Sequence, residues 1–122
     1  MKPNFSKLDN NFNAKICDFG MSKTVANTIK NSTKATVGTV QWSGPEYLDR
    51  KRIEERNGKG DVFSFGVIVW EIVSGKFPWE SQGYSPLDVV SSIIAGERLE
   101  IPKTCDSTLK TMMLNCWKHS KP

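Results

Sequence analysis

The sequence places an acidic residue, an aromatic residue and a glycine together at Asp18, Phe19 and Gly20. Asp18 directly follows a short strand pattern at 14–17, and the glycine allows the backbone to turn sharply after it. A carboxylate oxygen in this position suits Mg²⁺ that bridges nucleotide phosphates. An aspartate that only caps a turn would show the same three residues, so the motif requires support from the rest of the chain.

The cysteines and the single histidine do not supply a second chemical site. Cys17, Cys105 and Cys116 are odd in number and lack a Cys-x-x-Cys spacing, which argues against a disulfide framework or a zinc site. They predict buried free thiols in a reducing compartment. His119 is expected at the surface. Residues 1–10 have no apolar core, so no secretory signal is predicted. We expect a cytosolic or nuclear protein and assign it to the cytoplasm.

The bulk composition is typical of a globular protein. A length of 122 residues allows one domain at most, with 38% apolar and 25% charged residues. The formal net charge is +4, but lysine and arginine are spread along the chain. Nucleic acid is therefore not expected as a partner.

The element expected to position the chemistry is the apolar stretch at 60–75. Its length fits a helix better than a strand, and Gly75 offers a stop. It is shorter than the roughly 20 apolar residues that cross a bilayer, so no membrane partner is expected. A helix that is apolar on all sides is buried, so we predict a central helix on which the other elements pack. Its apolar residues run round the whole circumference: Val62, Phe63, Phe65, Val67, Ile68, Val69, Trp70, Ile72 and Val73.

Weaker patterns surround this helix and predict a mainly α architecture. Residues 7–8 and 14–17, separated by a turn at 9–11, predict a small hairpin. A long polar loop follows at 21–41, and a proline beside Glu46 favours a short helix start. Ser85 and Asp88 predict a capped helix that ends at Gly96, and Asp106 predicts the cap of a last helix. We therefore expect one domain with a hairpin and three to four helices. The apolar faces of the last two helices are expected at Leu87, Val90, Ile93 and Ile94 and at Leu109, Met112, Met113, Cys116 and Trp117.

Several short motifs occur in an order that identifies a family. The chain resembles the C-terminal lobe of a protein kinase from about residue 2 to residue 117, and it is most similar to tyrosine-kinase-like serine/threonine kinases. The resemblance implies a partial kinase domain over 1–122, with an activation segment at about 18–46. It depends on Asp18-Phe19-Gly20, Gly38-Thr39, Gly44-Pro45-Glu46, Asp61 to Gly66, Trp70-Glu71, Ile101-Pro102 and Cys116-Trp117.

The resemblance gives roles to the residues of the first motif and of the loop after it. It implies that Asp18 binds Mg²⁺, with Phe19 and Gly20 as structural residues that set the state of the loop. Hydroxyl groups within the loop become candidate phosphorylation sites, and solvated loop hydroxyls are the alternative. A phosphate there would need an arginine cluster to order the loop. The candidates are Ser32, Thr33 and Thr36.

The resemblance also implies a segment that receives the substrate residue after the phosphoacceptor. Gly44 stands where the family prefers alanine. In the family, the glutamate at Glu46 pairs with an arginine that follows the Cys-Trp helix. The sequence ends at Lys121 and Pro122 without that arginine, so Glu46 is expected to lack this partner. The implied substrate-binding residues are Thr39, Trp42, Gly44, Pro45 and Glu46.

The catalytic loop of the family matches this sequence only in part. Lys2 resembles the lysine that steadies the transferring phosphate, and together with Thr39 it favours a Ser/Thr kinase. The asparagine that holds a second Mg²⁺ falls on Phe5, and a slip of one residue would place Asn4 there instead. A frayed terminal lysine is the alternative interpretation of Lys2.

The remaining family motifs predict an incomplete enzyme. The sequence contains no glycine-rich loop, no strand lysine with its glutamate and no His-Arg-Asp. We therefore expect a kinase fragment that is inactive alone and binds neither ATP nor Mg²⁺ tightly, with a protein substrate or a regulatory protein as partner. A non-catalytic, pseudokinase-like binding module is the alternative. In the family Asp61 holds the catalytic loop, so we expect Asp61 and Trp70 to be structural. The segments that cover this helix in the family are missing from the sequence, so we also expect exposed apolar surface beside 62–73.

Overall fold

The computed structural model describes residues 6–17, 40–49, 51–52 and 58–118. The chain divides into two compact units, Met1–Thr33 and Lys34–Pro122, which are described separately. The first contains a hairpin and the second contains the helices.

The hairpin joins strand β1, Ser6–Leu8, to strand β2, Ala14–Ile16, in antiparallel register. Asp9 organises the turn, because its carboxylate accepts hydrogen bonds from the backbone N–H groups of Asn11 and Asn13, each at 2.9 Å. The bond from Asn13 is the largest of the contacts that hold the pKa of Asp9 below its ordinary value. The predicted hairpin is confirmed, and its turn forms because an aspartate side chain can replace backbone partners in a tight loop.

The helical unit contains four α-helices and two 3-10 turns within its described residues. Helix α2 packs against α1, against α4 and against the first 3-10 turn, whereas α3 packs against α1 and the same turn. The predicted fold class, a small hairpin and helices around a central helix, is confirmed. The elements are the turn Val40–Trp42, α1 Pro45–Leu48, α2 Lys59–Ser74, the turn Glu80–Gln82, α3 Pro86–Ala95 and α4 Ser107–Cys116.

Helix α2 buries one face rather than its whole circumference. Phe63, Val67 and Trp70 are 5%, 1% and 6% exposed, and their spacing places them on one side of the helix. Phe65 and Ile72 are 51% and 76% exposed. The expectation of burial on all sides is therefore wrong for the second face. The predicted exposed apolar surface beside 62–73 is confirmed.

Helix α3 has the predicted cap, but of its four predicted core residues only Ile93 is fully buried. The Ser85 hydroxyl accepts from the Asp88 N–H at 3.3 Å, while the Asp88 carboxylate accepts from the Ser85 N–H at 2.9 Å. Val89 and Ile93, one turn apart, are 2% and 0% exposed, but the predicted core residue Leu87 is 78% exposed. The side of this helix that contains Val89 and Ile93 and the side that contains Leu87 are both apolar. Packing against α1 and the turn at 40–42 therefore decides which side is buried.

Helix α4 has a predicted cap that should respond to acid. The Asp106 carboxylate accepts from the N–H groups of Thr108 and Leu109 at 2.8 and 3.3 Å. These bonds lower its pKa below the ordinary value of 3.8. A lowered folded pKa means that the stabilisation is present above the unfolded pKa and is lost as the pH falls through the folded pKa.

We expect the stability gap between the wild type and Asp106→Ala to narrow as the pH falls from about 7 to about 2, measured by thermal unfolding. Asp106→Asn is the control, because an asparagine caps the helix without titrating, so its gap to Asp106→Ala should stay constant. If the stability difference between the wild type and Asp106→Ala does not change with pH, this account of the cap is wrong.

The described residues also bear on the expectations about metals, thiols and membranes. Cys17, Cys105 and Cys116 form no disulfide within the described residues, and each is half-buried, so the expectation that these side chains are buried is wrong. Within the described ranges, no group of three or more His, Cys, Asp or Glu side chains could hold a metal ion. None of the helices in this part of the chain has the length and apolar character needed to cross a membrane.

Candidate substrate-binding site

The structure describes some of the predicted site residues and not others. Trp42, Gly44, Pro45 and Glu46 lie at the start of the helical unit. Asp61 and Trp70 lie on α2. The remaining candidates lie outside the described residues, and their roles stay predictions: Lys2, Asn4, Asp18, Phe19, Gly20, Ser32, Thr33, Thr36 and Thr39.

Trp42 anchors the candidate segment to the helical unit. Its side chain is 2% exposed, and its ring meets the ring of Phe77 edge to face, with the centroids 5.1 Å apart. Its backbone carbonyl oxygen lies 2.6 Å from the hydroxyl of Ser64, which also lies 2.9 Å from the Gly60 carbonyl oxygen. The single hydroxyl proton of Ser64 is shared between the two. A polar side chain on α2 thus fixes the backbone of the turn at 40–42.

Gly44 and Pro45 start helix α1 in a way that follows from their side chains. Gly44 is extended, with φ of −68° and ψ of 154°, and Pro45 occupies the first helical turn. The φ of proline suits that position, where a missing N–H is not needed. A Cβ at Gly44 would lie 2.8 Å from Oε2 of Glu46. The glycine is therefore explained by space, because the alanine of the family would displace the carboxylate as it is placed here.

Glu46 is buried beside several cationic side chains. It is 7% exposed and lies at a cleft of about 120 Å³ between α1, α2 and the end of α4. Its charge opposes the lowering of the Arg98 pKa, which is caused first by burial and then by Arg52. Glu46 therefore shares its cleft with a different arginine, Arg98, rather than with the arginine that the family places after the Cys-Trp helix. The cleft is lined by Pro45, Glu46, Arg52, Lys59, Val62, Phe63, Arg98, Asn115, Cys116 and Lys118.

The two structural candidates on α2 have different environments. Asp61 is exposed in the first turn of the helix, so the penalty of burying a carboxylate does not arise there. Its negative charge lies near the positive end of the helix dipole. The Trp70 indole N–H donates to the carbonyl oxygen of Glu100 at 2.8 Å. This bond ties α2 to the loop that follows α3.

Three residues of the site were not identified from the sequence. Ser64 carried a weak signal, because it is a hydroxyl within an apolar helix and such a hydroxyl requires a hydrogen-bond partner. Phe77 and Arg98 carried no local signal for this site, because the residues they meet there, Trp42 and Glu46, are far away in the chain. Only folding brings them to the segment at 40–46.

A Trp-Ser-Gly-Pro-Glu segment held against a central helix defines the C-terminal lobe of a protein kinase. The family model for protein tyrosine and serine/threonine kinases matches residues 7–122. The chain belongs to this family.

The similar proteins include kinases named as serine/threonine kinases and one named as a tyrosine kinase. The chain is 38% identical over 111 residues to the serine/threonine-protein kinase CTR1 of Arabidopsis thaliana, covering 90% of this chain and 13% of the relative. It is 38% identical over 112 residues to the mitogen-activated protein kinase kinase kinase zak-1 of Caenorhabditis elegans, covering 91% and 14%. It is also 38% identical over 107 residues to the tyrosine-protein kinase sid-3 of Caenorhabditis elegans, covering 85% and 8%. The chain thus spans 8% to 14% of the length of these relatives.

Proposed function

We propose that this chain is the Mg²⁺-binding and substrate-receiving part of a kinase domain that transfers the γ-phosphate of ATP to serine or threonine in a protein. The supporting observation is the segment at 40–46, which is buried and bonded to α2 through Ser64. A segment held in this way can keep a peptide substrate in register with the phosphate donor. Such positioning, together with electrostatic stabilisation, accounts for most phosphoryl-transfer catalysis.

The proposed roles follow the chemistry of each side chain. Asp18 and Asn4 offer carboxylate and amide oxygens, which are ligands that Mg²⁺ accepts, so this donor set fits the metal that accompanies ATP in the family. Lys2 would steady the transferring phosphate, and with Thr39 it favours serine or threonine as acceptor. The substrate residue after the acceptor would be received by the segment that contains Thr39, Trp42, Gly44, Pro45 and Glu46. Trp42 and Glu46 are 2% and 7% exposed, so these two side chains would support the segment rather than touch the substrate.

The polar loop before this segment would regulate it. Ser32, Thr33 and Thr36 lie in the activation segment proposed at 18–46 and carry hydroxyls that can accept a phosphate. A phosphate adds charge that orders a loop when an arginine cluster lies close. We place this signalling activity in the cytoplasm, which the three reduced thiols support.

We also infer that the 122 residues by themselves do not transfer phosphate. They contain neither a glycine-rich ATP loop nor a His-Arg-Asp motif, and one Mg²⁺-binding aspartate cannot replace those groups. Incubation with Mg²⁺, labelled ATP and a generic protein substrate should give no more product than the Asp18→Ala variant gives. A clear excess over that variant would show that the inference is wrong.

A chimaera tests the proposed function directly. Residues 7–118 replace the matching part of the Arabidopsis relative, which then supplies the ATP-binding half and the catalytic base. We expect this chimaera to phosphorylate serine or threonine, and Asp18→Asn within it to lower the rate by about 100-fold or more. The product is read by phosphoamino-acid analysis. Phosphotyrosine as the main product, or an unchanged rate in Asp18→Asn, would refute the assignment.

A second chimaera tests the two residues of the catalytic loop. It begins at Lys2 instead of residue 7, so Lys2 and Asn4 replace the host residues. Activity equal to the first chimaera would support the shifted position of Asn4. A large loss that is reversed by restoring the host loop would refute the roles of both residues and leave the rest of the proposal intact.

A non-catalytic binding module is the second candidate function. The exposed apolar side chains of Val62, Phe65 and Ile72 on α2 favour it, because such surface commonly marks an interaction site. Retention of a purified partner should be lost when Phe65 and Ile72 are replaced by lysine. Retention that is unchanged by these replacements would exclude this surface as the binding site.

A further inference from the structure

Arg98 connects three helices through its guanidinium group. Nη1 donates to the carbonyl oxygens of Ile93 at 3.2 Å and Glu97 at 2.6 Å, and Nε donates to the carbonyl oxygen of Trp117 at 3.3 Å. The group also lies over the ring of Phe63, 5.2 Å from its centroid. Arg98 therefore binds carbonyl groups at the ends of α3 and α4 and contacts α2, which fixes the position of its charge.

The partly buried charge of Arg98 gains from a negative counterpart in addition to its three hydrogen bonds. Arg98 is half-buried, and burial is the first cause that lowers its pKa. A cation removed from water is destabilising unless an opposite charge or hydrogen bonds replace the lost hydration. The buried carboxylate at the same cleft is Glu46 of helix α1, and it acts on Arg98 in the stabilising direction.

The other cations of the cleft are less suited to this role. Lys59 and Lys118 are exposed, so water screens their interaction with the carboxylate. Arg52 is half-buried like Arg98, and its charge lowers the pKa of Arg98, so the two cations repel each other. Among the cations that line the cleft, Arg98 has its guanidinium held by carbonyl groups of the helices around it.

We propose that Arg98 is a positioning residue that holds helix α1, and with it the segment at 40–46, through the carboxylate of Glu46. The two residues line one cleft, and the carbonyl groups around Arg98 prevent its charge from moving away. The coupling between Arg98 and Glu46 does not depend on the proposed kinase role. Only its consequence, the placement of the substrate segment, rests on that role.

A double-mutant cycle on the 122-residue chain tests the coupling. The readout is the amide hydrogen exchange of Asp49, whose N–H donates to the carbonyl oxygen of Pro45 across α1 at 2.9 Å. Glu46→Gln should accelerate this exchange about tenfold in the wild type and less than about threefold in Arg98→Gln. The Lys110 amide of α4 should change by less than about twofold in Glu46→Gln, because the effect is local to α1. Equal acceleration in both backgrounds, or an equal change at Lys110, would overturn the proposal.

Two further variants separate the charge from other effects of the substitution. Arg98→Lys keeps a positive charge, so in this background Glu46→Gln should still accelerate Asp49 exchange by about threefold or more. An acceleration as small as the one in the Arg98→Gln background would overturn the proposal. Lys118→Gln removes an exposed cation from the same cleft and should show no coupling with Glu46. If Lys118 were coupled to Glu46 as strongly as Arg98 is, the assignment of this role to Arg98 would be overturned.

Salt provides the test if Arg98→Gln does not fold. Salt screens a partly buried ion pair less than an exposed one, so the comparison extends from low salt to about 1 M, and we expect Asp49 exchange to accelerate more in the wild type than in Glu46→Gln. The same response in both proteins would overturn the proposal. Loss of phosphorylation in the chimaera, with this coupling intact, would instead refute the kinase assignment and leave the role of Arg98 standing.

Discussion

Trp70→Ala is expected to lower the free energy of unfolding by about 3–5 kcal/mol. The indole is 6% exposed on the buried face of α2 and donates to the carbonyl oxygen of Glu100. Its removal leaves a cavity and an acceptor without its donor, and both effects destabilise the folded state. Since single domains are commonly stable by only about 5–15 kcal/mol, this one change could remove a large part of the total. Urea unfolding followed by circular dichroism measures it.

Two variants separate the contributions to this effect. Trp70→Phe retains an aromatic ring but not the N–H donor, so we expect a loss of about 1–3 kcal/mol. Ile72→Ala lies on the same helix at a side chain that is 76% exposed, and it should change stability by about 0.5 kcal/mol or less. If Ile72→Ala is as damaging as Trp70→Ala, the assignment of the two faces of α2 is incorrect.

Gly66→Val is expected to separate α2 from α4 and to lower the free energy of unfolding by about 3 kcal/mol, at the upper end for an overpacked core. A Cβ at Gly66 would lie 2.7 Å from both Cβ of Cys116 and Nε1 of Trp117. Neither helix can yield without losing other contacts, because each has a fully buried side chain, Val67 on α2 and Met113 on α4, at 1% and 0% exposure. Thermal unfolding measures the loss.

Alanine at the same position sets two effects against each other. Helix propensity favours alanine over glycine by about 1 kcal/mol, whereas overpacking costs about 1–3 kcal/mol. We expect a small net loss for Gly66→Ala, between wild type and Gly66→Val. A stability gain in Gly66→Ala, measured by the same thermal unfolding, would contradict a tight α2–α4 contact.

The predictions that succeeded depend on local signals. The hairpin turn follows from Asp9 and its neighbours, and the cap of α3 follows from Ser85 and Asp88, because these bonds form between residues at most four positions apart. The motifs predicted the family for the same reason, since residue type and order are visible in the sequence. The roles of Asp18 and Thr39 remain predictions, because these residues lie outside the described part of the chain.

The sequence could not specify the environment of Glu46. A resemblance supplies the residue type and the partner usual in the family, but the cations that line the cleft with this carboxylate include Arg98, from the loop between α3 and α4. Such an electrostatic contact forms only when both segments close on the same cleft. Its strength depends on burial, which is a property of the packed protein rather than of either segment.

The sequence by itself determined the family, the hairpin, the central position of α2 and the caps of α3 and α4, because each follows from adjacent residues or from their order. Tertiary structure alone decided which face of α2 is buried. Apolar residues surround this helix, so its pattern favours no face, and the packing of α1, α4 and the turn at 40–42 makes the choice. The same packing places Ser64 under Trp42 and Arg98 near Glu46, which converts a recognisable motif into a positioned segment.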